Sequence, residues 1–315
     1  MLLPTRSQSL RTRRSLLDLD DLSGPELEYI FERTALFEKK LPKRDALSGQ
    51  AVLNLFFEHS TRTVTSFLIA EQRLGADVIS LAPRDSSLAK GETIEDSGIT
   101  LAAMGVNVIV VRHPEAGFPE RLALAFDGHV INAGDGTHAH PTQALLDIYT
   151  LRQEFGTLKD RKVAIVGDIL HSRVAHSNIE GLKGLGAQIT LVGPPSFLPD
   201  SFASEGVRVE RDLDKVLPES DAVILLRIQR ERFSDGAGSI SNEEYVRDYR
   251  LDAGRLAKLK EETVVMHPGP YNRGMELADD VLIYAGWRYA KQVRHGVYVR
   301  MAILDFLVNG KRRTR

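Results

Sequence analysis

The segment Phe57-Glu-His-Ser-Thr-Arg-Thr63 follows the apolar run Ala51 to Phe56 and precedes the helical pattern Val64, Phe67, Leu68, Leu74. Hydroxyls and a guanidinium therefore gather where a strand gives way to a helix. Backbone N–H groups at a helix start have no intrahelical acceptor and carry the positive end of the macrodipole, so Ser60, Thr61 and Thr63 can surround an anion there. Arg62 adds a planar, permanently charged fork that suits two phosphate oxygens. A helix cap is the simpler reading, but a cap needs one hydroxyl and this segment offers three with an arginine. The expectation is a phosphate site.

Other segments carry polar chemistry at the ends of apolar runs. In His138-Ala-His-Pro-Thr-Gln143, Pro141 suits a first helical position, which puts His140 at the cap and Gln143 on the first turn. An imidazole there can donate to a substrate carbonyl while Gln143 accepts from an amide N–H; a capping histidine with a solvated glutamine is the alternative. Met266-His-Pro-Gly-Pro270 follows another apolar run. Its two prolines leave free carbonyls and few donors, so the turn either accepts from an NH₂ group or is simply rigid. Arg173, and Arg227 with Gln229, are candidate carboxylate binders, although each alone reads more readily as a surface ion-pair residue. Lys90 and Ser86 share a turn-rich loop, and Glu58 is placed to orient an arginine.

Several chemistries are disfavoured. The chain has no cysteine, which removes disulfides, thiolate metal sites and cysteine nucleophiles. Val163-Ala-Ile-Val-Gly-Asp168 resembles the start of a dinucleotide-binding unit but lacks the glycines that follow, and Gly181-Leu-Lys-Gly-Leu-Gly186 lacks the Lys-Ser/Thr pair of a nucleotide loop. The histidines at 138, 140, 171 and 176 have no acidic cluster beside them, so no metal and no cofactor are expected. The net charge is −2 with 27% charged residues, so nothing draws the whole chain to nucleic acid or membrane. Its apolar runs are shorter than the ~20 residues of a membrane helix. An intracellular, cytoplasmic protein is the expectation.

The elements that must position these residues form two series. Strand-like runs at 51–57, 77–81, 107–112 and 129–132 alternate with helical patterns, and a second set follows at 162–168, 188–192, 221–227 and 263–266. Such alternation predicts an α/β protein of two doubly wound parallel-sheet domains joined by helices. The expected bounds are 1–150 for a first domain, with a basic arm over 1–17 that holds Arg6, Arg11, Arg13 and Arg14, and 151–290 for a second. The closing segment 291–315 forms a helix that packs back on the first domain through Val293, Val297, Ala302, Leu304 and Leu307. Pro25 to Lys40 is a further helix with Ser23 as its cap, and Pro141 to Phe155 connects the domains. Ligands of open α/β sheets bind beyond the carboxyl ends of strands, which nominates Arg62, Arg112, His140, Asp168, Arg227 and His267. The loops 83–92 and 230–242 look able to close over a site.

Taken together, Ser60-Thr-Arg-Thr, Ser86 with Lys90-Gly-Glu-Thr, Val111-Arg-His-Pro, His140-Pro-Thr-Gln, Gly167-Asp with Arg173, Arg227-Ile-Gln and His267-Pro-Gly-Pro resemble, in order, the motifs of the aspartate/ornithine carbamoyltransferase family, on its aspartate side. The resemblance spans nearly the whole chain. It implies transfer of a carbamoyl group from carbamoyl phosphate to L-aspartate, the committed step toward pyrimidines. It assigns the phosphate to Ser60, Thr61, Arg62 and Thr63 with Ser86. It gives the carbonyl to Thr63, Arg112 and His140, and the carbamoyl NH₂ to Gln143 and the carbonyls at Pro268 and Gly269. The aspartate carboxylates fall to Arg173, Arg227, Gln229 and Lys90, with Pro270 beside them. It further implies a homotrimer with shared active sites, through the Ser86 and Lys90 loop, and the branch whose members assemble with dihydroorotase or a related chain. Gly269 stands where some relatives carry leucine. The ornithine side typically has a cysteine-containing turn, absent here, and an anionic second substrate suits Arg227. A non-catalytic scaffold would not need all three sets of residues.

Overall fold

A computed structural model of the chain describes residues 15–81, 91–228 and 240–310. The chain divides into two compact units, Met1–Thr142 with Gly296–Arg315, and Gln143–His295. Two parallel sheets, one in each unit, make this an α/β protein of two parallel-sheet domains.

The first unit is built on β1 (Ala51–Phe56), β2 (Asp77–Leu81), β3 (Val106–His113) and β4 (His129–Asp135), in the order β2-β1-β3-β4. Every pairing is parallel. Its helices are α1 (Gly24–Lys39), α2 (Thr61–Leu74), α3 (Ile94–Ala103) and α4 (Phe118–Ala125). The two-residue period of β1 serves both faces of the sheet. Leu53 and Leu55 join Ile109, Val111 and Val130 against Phe118 and Leu122 of α4. The alternate residue Asn54 turns the other way, and its Nδ2 donates to Glu71 Oε2 of α2 over 2.8 Å. The α1 helix starts beyond Ser23, whose backbone N–H donates to the Glu26 carboxylate at 2.9 Å.

Ser15 to Leu17, counted with the basic arm in the sequence reading, belong to this unit's core. Leu16 and Leu17 are buried. The Leu16 N–H donates to the Val130 carbonyl and the Asn132 N–H to the Leu16 carbonyl, both at 2.9 Å, so the segment extends the sheet beyond β4. Residues 1–14, the rest of the arm, lie outside the described residues.

The second unit contains β5 (Lys162–Val166), β6 (Gln188–Val192), β7 (Arg208–Glu210), β8 (Ala222–Leu225) and β9 (Val264–Met266), ordered β7-β6-β5-β8-β9 and again all parallel. Helix α5 (Pro141–Phe155) leads into it. Then come α6 (Arg173–Gly184), α7 (Leu213–Val216), α8 (Asn242–Tyr249), α9 (Ala253–Leu256), α10 (Asp279–Leu282) and α11 (Tyr289–Asn309). Its core gathers Val166, Val192, Leu225 and Val265 with Phe197, Tyr245 and Tyr249. The edge strand β7 was not expected from the sequence; it is three residues long with Arg208 and Glu210 at its ends, too short and too charged to show an apolar alternation.

Helix α11 begins in the second unit and ends in the first. Within the first unit, Arg300 Nη1 donates to Ser66 Oγ (2.8 Å), Arg33 Nε to Asp305 (2.7 Å) and Asn309 Nδ2 to the Ala46 carbonyl (2.9 Å), so the end of α11 packs on that domain. The expected apolar face is partly wrong. Val293 is 46% exposed, while Gln292, His295 and Arg300 are buried. Each of these polar groups has a buried partner, which lets it occupy an inward position.

Candidate active site

In the first unit the strand order reverses between β1 and β3; Ser60, Thr61, Arg62 and Thr63 lie beyond the carboxyl end of β1, and Arg112 is the penultimate residue of β3. The ladder continues past β1, with the Phe57 N–H donating to the Arg112 carbonyl (2.9 Å), so Glu58 and Ser60 leave the sheet beside Arg112. Arg112 Nε donates to Glu58 Oε2 over 2.9 Å, and its Nη1 reaches Ser60 Oγ at 3.4 Å. Ser60 occupies the cap position of α2, yet its hydroxyl makes no capping bond. That hydroxyl faces the guanidinium instead. Thr61 and Arg62 are exposed and Thr63 is buried on the first turn, where three N–H groups have no acceptor within the helix. The helix start and the Arg112 guanidinium thus lie together, joined at Ser60.

Neighbouring polar groups shape this region without facing it. His113 stacks on Phe118, ring centroids 3.8 Å apart, and its Nδ1 accepts from the Glu115 N–H at 3.0 Å. Burial lowers its pKa, so the ring stays neutral and structural. Beyond β4, Asp135 ties the chain leading to His140. It accepts from Gly117 N–H (2.7 Å), Asn132 Nδ2 (2.7 Å) and Ala139 N–H (3.2 Å), and lies 3.0 Å from His138 Nδ1. Burial alone would raise the Asp135 carboxyl, but the bonds from His138, Gly117 and Asn132 outweigh it and hold the pKa below the ordinary value. His140 is itself buried and immediately precedes Pro141, the first residue of α5.

In the second unit the reversal falls between β5 and β8, and Gly167-Asp168 and Arg227 follow those strands. Gly167 has φ +129°, and a Cβ there would meet the Leu226 carbonyl oxygen at 3.2 Å, so only glycine lets the two strand ends come this close. Asp168 is fully buried; it accepts from the His171 N–H (3.2 Å) and lies 2.8 Å from His171 Nδ1. Arg173 opens α6 and is 6% exposed, so it is a buried cation rather than a surface ion-pair residue. Arg227 is half-buried. The residue after it, Ile228, donates its N–H to Glu276 Oε1 (2.9 Å), while Glu276 Oε2 accepts from the Asn272 N–H (2.7 Å). Burial raises the Glu276 pKa, opposed by those same bonds.

The turn after β9 starts at the fully buried His267, whose Nδ1 accepts from the Gly269 N–H at 2.8 Å. Pro268 and Gly269 are partly exposed and Pro270 is exposed. Tyr271 then packs edge-on against His267, Trp287 and Tyr289, with centroids 5.1–5.8 Å apart. On the first turn of α5, Gln143 is buried and its Nε2 donates to Asp147 Oδ1 at 2.9 Å.

Arg62, Arg112 and His140 thus belong to the first unit, and Asp168, Arg173, Arg227 and His267 to the second. Ser86, Lys90 and Gln229 lie outside the described residues, as do most of the two loops expected to close. Among the described residues no group of three or more His, Asp or Glu could hold a metal ion, and no helix is long and apolar enough to cross a membrane. Asp147, Gln292 and Arg300, all buried, stand outside the set of residues expected from the sequence. For Asp147 a signal existed in its i, i+4 spacing from Gln143.

The sequence model of the aspartate/ornithine carbamoyltransferase carbamoyl-P binding domain matches residues 14–153, and that of the Asp/Orn binding domain matches residues 159–307. The aspartate carbamoyltransferase catalytic subunit of Salinispora arenicola is 52% identical over 91% of this chain and 94% of its own. That of Streptomyces coelicolor is 46% identical over 95% of each. Among solved structures, the Trypanosoma cruzi aspartate transcarbamoylase in complex with carbamoyl phosphate and aspartate has a TM-score of 0.83 at 31% identity, covering 94% of this chain and 97% of that one. The catalytic subunit of M. Jannaschii aspartate transcarbamoylase has a TM-score of 0.82 at 31% identity over 96% of this chain and 100% of that one. Both sheets, with the residues at their switch points, fall inside the matched domains, and the chain belongs to the aspartate/ornithine carbamoyltransferase family.

Proposed function

We propose that the chain transfers the carbamoyl group of carbamoyl phosphate to the amine of L-aspartate, releasing N-carbamoyl-L-aspartate and phosphate. The observation that carries this reading is the Arg112 guanidinium, held by Glu58 and turned to Ser60 at the start of α2. The substrates of the Trypanosoma cruzi enzyme, carbamoyl phosphate and aspartate, supply the likeness. Carbamoyl phosphate brings about two negative charges and aspartate two carboxylates, so their encounter needs clustered cations.

In this reading Ser60, Thr61, Arg62 and Thr63 hold the phosphate with Ser86. Thr63, Arg112 and His140 polarise the carbonyl and stabilise the oxyanion that forms when the amine attacks. Gln143 and the carbonyls at Pro268 and Gly269 receive the carbamoyl NH₂. Arg173, Arg227, Gln229 and Lys90 hold the aspartate carboxylates beside Pro270. The nucleophile is the substrate's own amine, and the departing phosphate takes its proton, so the chain orients substrates and stabilises charge.

The test is to incubate the purified chain with carbamoyl phosphate and either aspartate or ornithine and to measure product. Carbamoyl aspartate is expected. Product from ornithine alone overturns the substrate assignment, and product from neither overturns catalysis by this chain alone. The working unit in this reading is a cytoplasmic homotrimer in which the Ser86 and Lys90 loop serves a neighbouring site, with dihydroorotase or a related chain as a further partner. Mixing two inactive variants, Arg62→Ala and Lys90→Ala, should restore activity if sites are shared. No recovery after subunit exchange would refute sharing.

A further inference from the structure

Asp147 lies four residues after Gln143 on α5, one turn along the same face, and is fully buried. Three side-chain amides donate to its carboxylate: Gln143 Nε2 (2.9 Å) and Gln292 Nε2 (2.8 Å) to Oδ1, and Asn178 Nδ2 (3.0 Å) to Oδ2. In all three bonds the amide donates and the carboxylate accepts, so each of these amides presents its NH₂ end to Asp147. A glutamine otherwise has two orientations of nearly equal shape. For Gln143 the consequence is that the carbonyl end is turned away from Asp147.

The same carboxylate governs a second set of acceptors. Gln292 donates to Asp147 and accepts at Oε1 from the His267 N–H over 3.0 Å, which anchors the first residue of the turn. His267 Nδ1 in turn takes the Gly269 N–H. Pro268 and Pro270 have no N–H at all. From 268 to 270 the backbone therefore has no donor left for a ligand and can only accept.

We infer that Asp147 is a positioning residue that selects a carbamoyl over an acyl phosphate, by holding the Gln143 amide and the His267 turn with their acceptors available to an NH₂ group. The inference rests on the carbamoyl-transfer reading and adds to it the group that sets donor specificity. A methyl in place of NH₂ leaves those acceptors unmatched, and a site built for hydrogen bonding rejects such an analogue strongly.

Asp147→Asn keeps the size of the side chain but lets position 147 donate, so Gln143 is no longer forced into one orientation. The unmutated chain and the variant are titrated calorimetrically with carbamoyl phosphate and with acetyl phosphate, and assayed for turnover with aspartate. Carbamoyl phosphate affinity should fall about tenfold, the typical effect of losing one buried hydrogen bond, while acetyl phosphate affinity changes by less than about twofold. Turnover should fall with it. Equal losses for both ligands, or no loss for either, overturn the inference. If Asp147→Asn does not fold, Gln292→Met is judged by the same comparison, since it cuts the link to His267 and leaves Gln143 on Asp147. An unmutated chain that forms no carbamoyl aspartate would instead refute the underlying reading of function.

Discussion

Glu58, two residues past the end of β1, meets Arg112, the penultimate residue of β3, the arginine Nε donating to Glu58 Oε2 over 2.9 Å with side chains 22% and 15% exposed. At that exposure solvent screens part of the attraction, so the pair matters more for direction than for stability. One edge of the guanidinium is fixed and the other is left to face Ser60.

Glu58→Ala is therefore expected to lower kcat about tenfold or more by letting Arg112 swing out of register, with little change in melting temperature. Glu58→Gln retains an acceptor oxygen and should lose less. Steady-state kinetics on both variants checks this, and equal losses would mean that the charge of Glu58, rather than its hold on Arg112, is what counts.

Glu276 makes a comparable hold in the second unit. Its two oxygens accept from Ile228 and Asn272, so it clamps the segment that carries Arg227. In Glu276→Ala two backbone N–H groups lose their acceptor, each costing about 1–3 kcal/mol where buried. The KM for aspartate should rise about tenfold while that for carbamoyl phosphate stays near its original value. A parallel rise in both constants would show general damage instead.

Apart from β7, the strands were legible in the sequence because each lies in a short apolar run bounded by turns; β2 and β6 are found where the pattern put them, and β1 ends one residue before the expected 57. Strand ends were less legible. The run 162–168 stops as a strand at Val166, because Gly167 turns to positive φ where the chain leaves the sheet. The residues nominated at strand ends carry charge or hydrogen-bonding groups that stand out against apolar runs. Asp147, Gln292 and Arg300 did not stand out, since a polar residue inside a helix reads as solvated until its buried partner from a distant segment is known. Asp147 and Gln292 are 145 residues apart, a separation over which local patterning says nothing.

Gly167→Ala tests the close approach of β5 and β8. A Cβ would lie 3.2 Å from Leu226 and 3.3 Å from the Tyr245 hydroxyl, at a backbone angle that disfavours any side chain. The expected loss is about 1–3 kcal/mol, read as a lower melting temperature. Turnover should fall as well, since Asp168 and Arg227 leave the sheet at this point. An unchanged melting temperature would show that the two strand ends can separate at no cost.

Glu71 should make stability fall as pH rises. It is fully buried on α2 beneath β1, and burial pushes its pKa from 4.5 up to about 7, opposed by the bond from Asn54. Glu71 Oε1 and Asn54 Oδ1 are both buried without a hydrogen-bond donor. A proton on Glu71 gives such a pair of oxygens one donor. Between pH 4.5 and about 7 the folded chain holds a proton that the unfolded chain has released, so folding weakens as pH climbs through that window. Below the window both states are protonated and nothing is lost; above it the full penalty applies, at most about 3 kcal/mol for a shift of this size. Glu71→Gln is uncharged at every pH. It should melt higher than the unmutated chain at about pH 8, and the gap should close as the pH approaches 4.5. Other carboxylates titrate over the same range, but they are common to both proteins and cancel in the difference. A gap that stays constant with pH would mean that Glu71 remains ionised in the folded chain.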